Sequence, residues 1–175
     1  AGPAATVTVK PAASSTSAYT AAVSGTPTIA VNETAVVKVT VSSAAESTFN
    51  AYDFTLSYDA NVLEYKSVSL TDATATTGTG TVRIRGYGAN KACATPITVT
   101  FTGKAGGASD VTLTDARFDE SANAIDKDAP AAAITGSAKI TVKAEYDVTL
   151  PEGFTGAEKA ESGKDYTFTA TDTNY

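Results

Sequence analysis

The chain reads as an all-β protein, a jelly-roll or β-sandwich of about eight to nine short strands, with a short C-terminal β extension. Three observations predict this. Apolar and polar residues alternate with period two in one stretch after another, which sets one face of each strand on a core and the other in water. Thr and Val are among the dominant residue types with Ala and Ser, and their β-branched side chains fit a pleated surface better than a helix. Gly, Pro, Asn and Asp punctuate these stretches at short intervals, and no window carries an amphipathic helical pattern.

Residues 1–24 are small and polar. The alternation around Val7 and Val9 suggests one strand, and the remainder reads as a linker. The sandwich is expected over residues 25–143. Residues 28–31 form a short strand, Asn32-Glu33-Thr34 a turn, and residues 35–41 (AVVKVTV) a buried strand. In residues 50–58, Tyr52, Phe54, Leu56 and Tyr58 alternate with Asp53, Thr55 and Ser57. Asp59-Ala60-Asn61 then turns the chain, because short Asx side chains bond nearby backbone and tolerate turn geometry. Val62, Leu63 and Tyr65 resume the apolar pattern.

Residues 71–80 (TDATATTGTG) form a loop or a weak edge strand. In VRIRGYG, Val82 and Ile84 alternate with Arg83 and Arg85, which makes a strand with a basic outer face. Residues 97–101 are another clean alternation, residues 103–107 a turn, and residues 111–118 the next strand. An acidic loop covers 119–130, and residues 134–142 close the sandwich as one strand. Residues 144–175 hold two further strands, in YDVTLPEG and SGKDYTFTAT. Two strands make a poor independent fold, so this partial second β-repeat is expected either to be cut within its unit or to dock on the sandwich.

Composition narrows the function. The absence of histidine removes the commonest general base and the commonest zinc ligand, and no nucleophilic triad can be assembled; the expectation is that the chain is not an enzyme. A net charge of −6 opposes nucleic acid and anionic membrane as partners. No apolar run approaches the ~18 residues of a membrane span. Cys93 reads as a small hydrophobe near a strand start. The acidic loop supplies the hard oxygens that calcium takes, with Asp119, Asn123, Asp126 and Asp128 as the candidate metal residues; no other cofactor is expected. Sugar faces stack on exposed rings, and Tyr19 and Tyr87, with small or Gly neighbours, are the carbohydrate-binding candidates; Tyr52, Tyr58 and Tyr65 fall on core positions.

The segment NAYDFTLSYDANVLEYKSVSL, an aromatic strand joined by an acidic turn to a V-L-E strand, resembles the hallmark of cohesin modules. The resemblance extends over about residues 26–142 through TPTIAVNETAVVKVTV, ATPITVTFTGKAGGASDVTLTDARF and ITGSAKITV, which by themselves are generic sandwich text. It implies a non-catalytic, extracellular or cell-surface scaffolding module of a larger bacterial protein. Its partner would be dockerin-like and would bring its own calcium. Asp53 takes a position in the motif that can contact that partner. Two other functions fit the residues: a carbohydrate-binding module using Tyr19 or Tyr87, and a structural spacer or fibre subunit that exchanges edge strands.

Overall fold

Alternation decides which side chains meet, and the computed structural model shows where they do so. It describes residues 17–120, 124–125, 129–161 and 164–171. The strands begin with β1 (Tyr19–Ser24), β2 (Thr28–Ala30), β3 (Thr34–Ser43), β4 (Thr48–Phe49), β5 (Ala51–Ser57) and β6 (Leu63–Val68). They continue with β7 (Thr74–Gly78), β8 (Thr81–Gly86), β9 (Lys91–Ala92), β10 (Ile97–Gly103) and β11 (Gly107–Asp119). After the acidic loop come β12 (Ala133–Thr135), β13 (Ala138–Lys143), β14 (Glu145–Asp147), β15 (Phe154–Thr155), β16 (Lys159–Glu161) and β17 (Thr169–Ala170).

Two large sheets result. One has the order β12-β1-β3-β10-β6 and the other β2-β13-β11-β5-β8-β7. Both contribute to a single core. Val37, Val39 and Val41 of β3 and Val99 and Phe101 of β10 come from the first sheet; Phe54, Leu56, Val82, Ile84 and Ile140 come from the second. Each such side chain, fully removed from water, contributes roughly 1.5–3 kcal/mol. Phe118 joins the rings together: its centroid lies 5.2 Å from Phe49, 6.1 Å from Tyr19 and 6.2 Å from Phe54.

The acidic turn is built as the sequence implies. The carboxylate of Asp59 accepts from the backbone N–H of Asn61 at 2.8 Å, and its carbonyl accepts from Leu63 at 2.9 Å. Ser109, buried on β11, accepts from the N–H of Asp59 at 2.9 Å and so ties the turn to the second sheet. The weak strand of residues 71–80 is β7, exposed along its whole length at the edge beyond β8.

Three expectations about the sandwich itself need correction. The sandwich begins before residue 25, because β1 lies between β12 and β3 with Tyr19, Ala21 and Val23 in the core. Small polar neighbours hid the strand. The strand expected over 134–142 is two strands in different sheets: β12 runs parallel to β1, and β13 runs parallel to β2. The chain crosses between them at Gly136, where φ is +70° and a Cβ would sit 2.6 Å from the Val23 carbonyl oxygen. Only glycine accepts both conditions without strain. The two large sheets therefore hold eleven strands, more than the eight or nine expected.

After Ala144, β14 pairs with β16 and β15 with β17, so the expected two strands are four interleaved short ones. Tyr146, Phe154 and Phe168 are exposed there. The strand around Val7 and Val9 lies outside the described residues.

Candidate partner-binding face

The same alternation that buries Phe54 and Leu56 turns Asp53, Thr55 and Ser57 to the outer face of the second sheet. Register then fixes their neighbours. Asp53 stands opposite Arg85 on β8 and Arg117 on β11. Thr55 stands opposite Arg83 and Asp115. On β7, Thr74 is opposite Arg85 and Thr76 opposite Arg83. All three arginines of the sequence thus share one sheet face, among short hydroxyl side chains.

Asp53 is held, not free. Arg83 Nε donates to Asp53 Oδ1 at 2.8 Å, and Arg83 Nη2 donates to Oδ2, a bidentate fork. The hydrogen bonds and charge of Asp53 raise the Arg83 pKa further. The Asp53 side chain is 17% exposed against 54% for Arg83, so the guanidinium stands above the carboxylate that anchors it. Arg117 Nη1 donates to the Ala129 carbonyl at 2.8 Å, and its Nε lies 3.7 Å from Asp115. Arg85 is exposed and forms no ion pair among the described residues.

A shallow groove of about 430 Å³ runs along this face, lined in part by Asp53, Asp72, Thr74, Arg83, Arg85 and Tyr87. Two of the sequence candidates, Asp53 and Tyr87, are therefore brought together. Tyr87 is 59% exposed. Tyr52 lies beneath the same groove, and its hydroxyl is buried with no hydrogen-bond partner among the described residues. Burial first, then the charge of Asp72, pushes its pKa up to about 12.

Tyr19 is not a surface residue. It is 5% exposed, its ring packs on Phe118, and its hydroxyl donates to the Thr48 carbonyl at 3.0 Å. Burial and the nearby Glu120 and Glu46 raise its pKa. The expectation that it stacks on sugar fails because β1 is an inner strand and position 19 faces inward. Asp119 ends β11, whereas Asn123, Asp126 and Asp128 lie outside the described residues. Among the described residues, no group of three or more His, Cys, Asp or Glu side chains is placed to hold a metal ion. Cys93 is half-buried against the core, as a small hydrophobe would be. The described residues contain no helix long and apolar enough to cross a membrane.

The basic outer face of β8 was legible from the alternation of Arg83 and Arg85. Arg117 and the two threonines of β7 were not singled out, because only strand order places them beside β5 and β8.

Known structures share this architecture. The third cohesin of ScaC from Acetivibrio cellulolyticus, solved in complex with the ScaB dockerin, superposes with a TM-score of 0.51 at 16% identity, over 71% of this chain and 98% of that one. The seventh ScaB type I cohesin of Pseudobacteroides cellulosolvens gives 0.50 at 18% identity, over 77% and 95%. The Coh-OlpC cohesin of Clostridium thermocellum, in a type I complex with a dockerin, gives 0.51 at 12%, over 76% and 99%. At these identities the likeness is one of fold. A comparison with curated proteins gave no match. The family profile of the cohesin domain matches residues 19–173, which takes in β1 and nearly the whole chain. The chain belongs to the cohesin domain family.

Proposed function

We propose that this chain is a non-catalytic, extracellular scaffolding module that holds a dockerin-type protein against the outer face of β11-β5-β8-β7. The observation that carries this reading is the preformed polar face itself, with Asp53 at its centre and arginines on the strands to either side. Strand pairing fixes the backbone and spacing of these residues, and the Asp53 fork holds Arg83, so less ordering is left to oppose binding. Membership of the cohesin family supports the choice of partner. So do the ScaC and OlpC cohesins, both solved with a dockerin. A second reading, glycan binding, rests on Tyr87, whose exposed ring borders the groove.

One binding screen separates them. The purified chain is titrated with a panel of dockerin modules and with a glycan array, each with and without calcium. Saturable dockerin binding, weakened roughly tenfold by Asp53→Ala with the thermal midpoint retained, supports the first reading. Glycan binding alone, lost in Tyr87→Ala, replaces it with the second. Dockerin binding that Asp53→Ala leaves unchanged removes Asp53 from the site.

A further inference from the structure

The chain carries a net charge of −6, yet its only three arginines are gathered on the outer face of one sheet. Guanidinium groups are planar and weakly hydrated, and they match carboxylates two bonds at a time, which is why they concentrate at interfaces. Their internal pairing is incomplete. Arg83 is held by Asp53, and Arg117 lies near Asp115 and bonds Ala129. Arg85, two residues along β8 from Arg83 and on the same face, forms no ion pair among the described residues, although Asp53 is its cross-strand neighbour and Asp72 lines the same groove. The cross-strand neighbours Thr74 and Thr76 on β7 and Thr55 on β5 are short beside the long arginines. Tyr87, just beyond the end of β8, lines the same groove as Arg85 and is exposed. Arginine and tyrosine are the residue types that most often dominate an interface.

We infer that the partner seated here presents carboxylates to Arg85 and Arg83, and that Asp53 is a positioning residue that aims Arg83 instead of touching the partner itself. The inference rests on the reading of this face as the dockerin-type docking surface, and it names the chemistry of the partner's contact. Covering Arg85 with a surface that lacked an anion would strand a charge away from water, a large loss of affinity. A basic partner surface would meet it with repulsion. An acidic one would meet the three gathered guanidiniums here and a net-acidic chain around them, which favours this orientation as well as affinity.

The test uses the whole chain and a panel of purified dockerin modules whose interface helices range from acidic to basic, with dissociation constants measured by calorimetry at low and high salt. The expected result is preference for acidic dockerins, weakening as salt rises. Arg85→Glu should reduce affinity by about 100-fold or more and Arg85→Lys by an intermediate amount. Asp53→Ala should weaken binding in the native background but have little further effect in an Arg83→Ala background, because its contribution passes through Arg83. Arg85 is exposed, so these variants are expected to keep their thermal midpoint, and Arg85→Gln serves as a neutral control. Dockerin binding that Arg85→Glu changes by less than about twofold, or a preference for basic dockerins, overturns the inference while leaving the docking reading in place. An Asp53→Ala loss that persists undiminished in Arg83→Ala overturns the positioning role. Failure of the native chain to bind any dockerin overturns the docking reading itself, and this inference with it.

Discussion

Tyr52 shows how much one hydroxyl can reveal. Its ring is core, 1% exposed, and its oxygen is buried with no hydrogen-bond partner among the described residues. A buried polar group that makes no bond has lost its water for nothing. Tyr52→Phe is therefore expected to leave stability in denaturant within about 1 kcal/mol of native, or to raise it. The same hydroxyl ties stability to alkaline pH. Its folded pKa of about 12 lies above the ordinary value near 10, so the folded state holds the proton longer than the unfolded state. That contribution is fully present below pH ~10 and is lost as pH rises through about 12. Urea midpoints measured across this range should fall, and fall less steeply in Tyr52→Phe. Gly86 sits against the same oxygen: a Cβ there would be 2.4 Å from Tyr52 Oη, 2.7 Å from its Cζ and 2.7 Å from the Asp72 carbonyl oxygen. Gly86→Ala should cost roughly 1–3 kcal/mol, and adding Tyr52→Phe should not restore it, because two of the three close contacts remain.

At the scale of elements, β5 carries both the core and the face. Phe54 is fully buried between the sheets, whereas its neighbour Asp53 organises the outer surface. Phe54→Ala is expected to cost about 3–5 kcal/mol in equilibrium unfolding and to lose partner binding only as the protein unfolds. Asp53→Ala should do the reverse, since an exposed ion pair contributes about 0–1 kcal/mol to stability. The crossing from β12 to β13 behaves differently again. It depends on one backbone conformation, at Gly136, and on the N–H of Lys139 donating to the Gly25 carbonyl at 2.9 Å. Gly136→Ala should lower the thermal midpoint, because both the positive φ and the Val23 carbonyl oppose a Cβ.

For the molecule as a whole, buried apolar side chains among the described residues run from Tyr19 to Ala144 and no further. The segment beyond exposes Tyr146, Phe154 and Phe168 and meets the sandwich through contacts such as Lys143 Nζ to Glu161 Oε2 at 3.1 Å. A chain ending at Ala144 is accordingly expected to unfold cooperatively with a midpoint close to that of the full chain. A large drop would show that the segment docks as part of the core. Net charge belongs to this scale too: the chain is net acidic while its arginines are gathered on one face, so orientation on binding depends on the whole surface.

The sequence by itself determined the all-β class, most of the strands, the Asx turn after β5 and the family, because period-two alternation and turn chemistry are local properties of the chain. It also marked Asp53 and the basic strand of Arg83 and Arg85. Tertiary structure alone decided the rest. Tyr19 reads as a surface ring among small neighbours until β1 is seated between β12 and β3. Residues 134–142 read as one strand until Gly136 passes the chain from one sheet to the other. Arg117, far from Asp53 in sequence, becomes its cross-strand neighbour only through β11. Alternation tells each side chain which way to point, but the order in which distant strands pair determines what it points at.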